Sequence, residues 1–165
     1  PDATLPDSSV ICGYLERKHP SPALYPAPAF AYGRALWLEE YADTDFVAAT
    51  GPGIFRAIVL NKLMKREPDL ALAQDTWDNK IPRFMDYFEK ELGAKSYFVG
   101  DSFGIADISI ASPFVNVAHA GFAPDAKRYP NLLRFLKSAL ARPSFAACIE
   151  GERKMLASLG LNYAL

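Results

Sequence analysis

The sequence predicts a mainly α-helical fold, and three observations predict it. Apolar residues recur at spacings of three and four over most of the chain, strand-like alternation is absent beyond the first few residues, and Gly and Pro divide the pattern into separate helices. Half of the 165 residues are apolar, enough for a substantial core in one domain, or in one domain with part of another.

Pro1 to Pro6 reads as the tail of an extended segment and a turn, too short to form a sheet by itself. From Asp7 or Ser8 to about His19 a helix is expected, with Val10, Ile11, Tyr14 and Leu15 on one face and a capping residue at its head. Four prolines between Pro20 and Pro28 make a stiff linker and mark a domain boundary. Beyond it, Ala31, Ala35, Leu38, Ala42 and Phe46 fall within about 80° of one another on a helical wheel, the stripe of a long amphipathic helix. Phe30, Trp37 and Tyr41, with Arg34 near their edge, form a shoulder roughly 100° away. Such a shoulder suits further core, a subunit interface or an apolar substrate wall.

Gly51-Pro52-Gly53 predicts a break or kink before a second apolar helical piece from Ile54 to Lys65. Asp69 is a candidate N-cap for a helix to about Leu92 carrying Trp77, Ile81, Phe84, Phe88 and Leu92, with Pro82 predicting a kink and Gly93 a stop. The run after Gly104 is apolar nearly all round, which marks a helix in the middle of the molecule, bent at Pro113 and ended at Gly121. Leu132, Leu133, Leu136 and Leu140 form the next stripe, and Pro143 opens a last helix with Phe145, Ile149 and Met155 or Leu156. About six helices are expected after the linker.

The start of the central helix is written in most detail. With Gly104 as N-cap, Asp107 occupies the third helical position, where its carboxylate reaches back to the backbone N–H of residue 104, while Phe103 and Ile108 complete a hydrophobic staple. Asp107 is therefore expected to be a structural cap. The pattern Gly100-Asp101-x-Phe103-x-Ile105-Ala106-Asp107 resembles the start of the buried sixth helix of glutathione S-transferases, which usually carry Ser or Thr at the position of Gly104. On capping preference alone that exchange is worth only a few tenths of a kcal/mol. Leu5-Pro6-Asp7-Ser8-Ser9-Val10-Ile11 resembles the end of the same family's thioredoxin-like domain, and the order and spacing of later segments are similar to bacterial members.

The resemblance implies a glutathione S-transferase C-terminal-like helical bundle at residues 29–165. Ahead of it would stand the linker, 20–28, and at 1–19 a remnant of the thioredoxin-like glutathione-binding domain, its last helix. It implies a cytoplasmic, homodimeric transferase of detoxification type that conjugates glutathione, its co-substrate, to a small apolar electrophile. The Ser, Tyr or Cys that acts on the thiol would lie upstream of Pro1, so no catalytic residue is assigned. Lowering the pKa of a thiol by two units takes only about 2.7 kcal/mol of preference for the anion. On the residues alone, Asp7 or Ser8 is a helix cap; the resemblance implies that Asp7 accepts from the glutathione ammonium and that Ser8, at a helix N-terminus, donates to its α-carboxylate. Phe30, Arg34, Trp37 and Tyr41 remain candidates for the hydrophobic site or the dimer face. A glutathione-dependent isomerase or dehalogenase, or a non-catalytic scaffold, are the other readings of the same fold.

Composition narrows the classes further. Eighteen Lys and Arg against nineteen Asp and Glu leave a net charge of −1, so no basic field attracts nucleic acid or an anionic membrane. Cys12 and Cys148 are too far apart in sequence for a metal or redox motif and are expected in the core. His19 and His119 are equally isolated, and no metal is expected.

Overall fold

The structure, a computed structural model, describes residues 3–165; Pro1 and Asp2, the first residues of the expected extended segment, lie outside them. Among the described residues there are seven helices and no strand. Helix α1 spans Ser8–Lys18. Helix α2 runs without interruption through residues 29–63. It is followed by α3 (Leu70–Asn79), α4 (Pro82–Leu92), α5 (Ile105–His119), α6 (Pro130–Leu140) and α7 (Pro143–Leu156), the last ending in the single turn Ala157–Leu159.

Helix α5 is the axis. Ile105, Ala106, Ile110, Ala111, Phe114, Val117 and Ala118 are all buried, so residues on nearly every side of it meet a neighbour, and the helix continues through Pro113 unbroken. The small-residue stripe of α2 packs here, with Ala35, Leu38, Ala42 and Phe46 buried. Small side chains let the two backbones approach, and Phe46 then reaches Phe114 at 4.9 Å between ring centroids. Phe84 and Phe88 of α4 close on the same ring at 5.4 and 5.5 Å, and Phe98 carries the aromatic contacts on to Phe135 of α6 at 4.9 Å.

Two expectations are corrected. Gly51-Pro52-Gly53 does not interrupt the helix: winding loosens to the π form over Tyr41–Phe46 and again over Gly51–Leu60. The wider i→i+5 pattern accommodates a proline that lacks an N–H, so the chain loosens its winding without leaving the helix. Gly53 is required for another reason, since a Cβ there would lie 2.5 Å from Thr76 Oγ1 of α3. Conversely, the stretch from Asp69 to Leu92 is two helices. Asp69 caps α3 by accepting from Leu72 N at 2.9 Å, and the chain breaks at Lys80–Ile81 so that Pro82 becomes the first residue of α4. Gly93, at φ 52°, ends α4 as expected.

The starts of α5 and α6 are held by carboxylates. Gly104 N donates to Asp107 Oδ2 at 2.9 Å, the capping contact the sequence predicts, and Phe98 N donates to Asp107 Oδ1 at 2.9 Å. Gly104 has no side chain, so the reciprocal half of a capping box is absent. Instead, Leu24 O of the linker accepts from Ile105 N at 2.9 Å, and a Cβ on residue 104 would sit 2.7 Å from that oxygen. Glycine stands here because linker backbone occupies the side chain's place. At α6 the cap comes from another helix: Glu89 accepts from the amides of Asn131 and Leu132 at 3.1 and 2.7 Å and from Asn131 Nδ2 at 2.6 Å.

Candidate functional site

Helix α1 begins at a corner shaped by Asp7. Its Oδ1 accepts from Ser9 N at 3.0 Å and Val10 N at 3.2 Å, so Asp7 is the N-cap. Its φ of 76° is one that a non-glycine residue adopts only at a cost of order 1–3 kcal/mol. Both Asp7 and Ser8 are exposed. Among the described residues, Oδ2 of Asp7 and the amide and hydroxyl of Ser8 meet no hydrogen-bond partner. One oxygen of the carboxylate thus organises the helix start while the other faces outward, beside the partial positive charge of the helix N-terminus.

Ser8 opens onto a cleft of ≈ 280 Å³ between α1, α2 and α5, walled by Ser9, Cys12, Glu39, Asp43, Ser112 and Asn116. Glu39, on α2, is only 3% exposed. Both of its oxygens lie 3.3 Å from the hydroxyl of Tyr25 in the linker. Burial pushes its carboxyl above the usual range, the hydroxyls of Ser9 and Tyr25 pull the other way, and Glu40 and Asp43 add to the rise. Burial and the same carboxylate push the Tyr25 phenol and the Cys12 thiol up, so Cys12 is a poor thiolate. Sequence reasoning missed Glu39. Its only signal was angular: it falls about 20° beyond the edge of the buried stripe, where a charged residue is out of place.

The aromatic shoulder lies on the opposite flank of α2, toward α4. Tyr41 stacks on Trp37 at 5.6 Å and meets Phe84, Tyr87 and Phe88. Trp37 Nε1 donates to Tyr87 Oη at 3.1 Å, and Arg34 pairs with Glu91 at 2.7 Å. Trp37 remains 49% exposed and Phe30, which joins none of these contacts, 83%. None of the four residues lines the cleft beside Ser8.

A second, more apolar groove of ≈ 480 Å³ runs between α5 and α7, with Phe103, Val115, Phe145 and Ile149 on its walls, and shares Ile108, Ser112 and Asn116 with the first. Cys148 lines it and is exposed, which corrects its expected place in the core; the helix turns it outward while Ile149 takes the buried position. Cys12 is only partly buried, because α1 rests lightly on the body. His119 is buried, and its Nε2 lies 2.9 Å from Glu152. Tyr163, at the C-terminal end, packs edge-on against His119 and does not line the cleft beside Ser8. Asp107 is 1% exposed, with its carboxyl raised by burial against the opposing pull of the Phe98 and Gly104 amides, as a structural cap should be.

No group of three or more His, Cys, Asp or Glu side chains among the described residues is placed to hold a metal ion, and no helix among them is long and apolar enough to cross a membrane.

A family model described as glutathione S-transferase, C-terminal domain, matches residues 55–151. Among curated proteins, glutathione S-transferase F13 of Arabidopsis thaliana is 28% identical over 151 residues, covering 87% of this chain and 66% of the relative. A probable glutathione S-transferase of Oryza sativa is 24% identical, again over 87% of this chain and 66% of its own length. The chain thus spans just under two thirds of the curated relatives it matches. A glutathione S-transferase from Rhodospirillum rubrum shares the fold with a TM-score of 0.78 at 24% identity, covering 87% of this chain and 64% of the other. One from Methylobacterium radiotolerans, solved in complex with glutathione sulfonate, superposes with a TM-score of 0.63 at 27% identity, covering 88% and 66%.

Proposed function

This chain belongs to the glutathione S-transferase C-terminal domain family, and from that premise we propose that its protein binds glutathione at the Asp7–Ser8 corner and conjugates it to a small apolar electrophile. The observation that carries the reading is the corner itself. A non-glycine residue held at φ 76° presents an uncommitted carboxylate oxygen and an adjacent free hydroxyl and amide at the start of a helix, all open to solvent. That set of groups complements an amino acid end group: Ser8 donates to its carboxylate, and Asp7 Oδ2 accepts from its ammonium. Residues 1–19 are then the end of the glutathione-binding unit, 20–28 its link, and the helical body at 29–165 its support.

The electrophile's place is the apolar groove between α5 and α7, which shares Ile108, Ser112 and Asn116 with the cleft at Ser8 and is rich in Phe and Ile. Phe30 and Trp37, exposed on the far flank of α2, suit a second copy of the protein, and a cytoplasmic homodimer is the assembly we propose. Activation of the thiol is assigned to no residue of this chain.

The test is glutathione titration of the full chain by calorimetry, with Asp7→Ala and Ser8→Ala as variants. Each charge-assisted contact is worth about 1.5 to 3 kcal/mol, so either change should weaken binding by at least roughly tenfold. Affinities equal to wild type in both variants would sink the assignment.

A further inference from the structure

Helix α1 carries the glutathione corner, yet none of its residues is buried, and its apolar face of Val10, Ile11, Tyr14 and Leu15 is exposed. Hydrophobic burial within this chain therefore does little to fix where the corner sits. Polar contacts do that, and they converge on Glu39. Its carboxylate, on α2, accepts from the hydroxyl of Tyr25 at 3.3 Å and lines the same cleft as Ser9, next in sequence to Ser8. Tyr25 belongs to a linker that α1 itself gathers in, since Glu16 accepts from the amides of Leu24 and Tyr25 at 3.1 and 3.4 Å. Asp7 in turn holds the amides of Ser9 and Val10.

Among the described residues no Lys, Arg or His lies within ion-pair distance of Glu39. A carboxylate buried without a counter-ion works against stability. What it returns are contacts to the two segments that bear and steer the corner.

We propose that Glu39 is a positioning residue for the glutathione site, anchoring the first turn of α1 to α2 so that Asp7 Oδ2 and Ser8 face the ligand in fixed register. This rests on the reading of Asp7 and Ser8 given above. Displacement of the corner by even an ångström would misalign both contacts to the amino acid end of glutathione.

The experiment compares the full-length wild type with Glu39→Leu and Glu39→Gln by two readouts. Amide hydrogen exchange at Ser9 and Val10 needs no ligand, and calorimetric titration uses glutathione. Leu fills the space and removes the acceptor, so the melting midpoint should hold or rise, while exchange at Ser9 and Val10 accelerates about tenfold and glutathione binds about tenfold more weakly. Gln still offers an oxygen and can donate to Tyr25, so it should restore both to within about twofold of wild type. If Glu39→Leu does not fold, Tyr25→Phe, which removes only the facing hydroxyl, carries the same expectation at smaller amplitude. Normal wild-type binding with exchange and affinity both unmoved in the Leu variant overturns the role of Glu39 and leaves the site standing. A wild-type chain that binds no glutathione overturns the site itself, whatever the exchange rates.

Discussion

Asp107→Ala is the sharpest perturbation of the fold. As an ordinary N-terminal cap its removal would cost about 1 to 2 kcal/mol. The structure raises that figure, because the same carboxylate also receives the amide of Phe98, nine residues earlier and fully inside the molecule. Truncation leaves two N–H groups without an acceptor. A buried one costs about 1 to 3 kcal/mol and the partly exposed Gly104 amide about 1. Against this stands relief from burying a charge, which is real here, since burial outweighs the two amides and holds the carboxyl above its ordinary value. The two losses sum to about 2 to 4 kcal/mol and the relief takes back part of it, leaving a net of about 1.5 to 3 kcal/mol, a fall in melting midpoint of roughly 4 to 9 °C for a chain of this size. Differential scanning calorimetry on wild type, Asp107→Ala and Asp107→Asn tests it. Asn offers one acceptor oxygen and turns an NH₂ toward the other amide, so it should recover less than half the loss. A drop under about 3 °C for Ala, or an Asn variant indistinguishable from wild type, would refute the double-acceptor account.

Two further outcomes follow from the same geometry. Gly104→Ser should destabilise by about 1 to 3 kcal/mol in urea unfolding, since its Cβ would press on Leu24 O and break the Ile105 contact; capping preference alone predicts a small gain, so the sign of the change decides between them. For Glu39, the folded pKa lies above the ordinary value of 4.5, so its stabilising contribution is complete below the unfolded value and is lost as pH rises through the folded one. Glu39→Gln should therefore gain in melting midpoint relative to wild type as pH goes from about 4 to about 7, and a difference that stays constant over that range would show that the carboxylate is not held against burial.

Much of the helical body was legible because its signals are local. The period of Ala31, Ala35, Leu38, Ala42 and Phe46 names a buried stripe from spacing alone, and the structure buries the last four and half-buries Ala31. Asp107 three residues after Gly104 is a short-range contact whose geometry any helix start reproduces, so the reach to Gly104 N was readable, whereas the bond to Phe98 was not. Proline was the least reliable guide. Pro52 is absorbed by a looser winding and Pro82 begins a new helix, and the two residues look alike until the packing on either side is known.

By itself the sequence determined the helical class, the central buried helix and the family, since periodicity, caps and short motifs depend on residues within a few positions of one another. Only the tertiary structure decided that Glu89 caps a helix 41 residues onward, that linker backbone forbids a side chain at Gly104, and that Glu39 takes the Tyr25 hydroxyl beside the cleft that Ser9 lines. These contacts join segments distant in sequence, and a buried polar group takes its partner from whatever chain packing brings within hydrogen-bond reach.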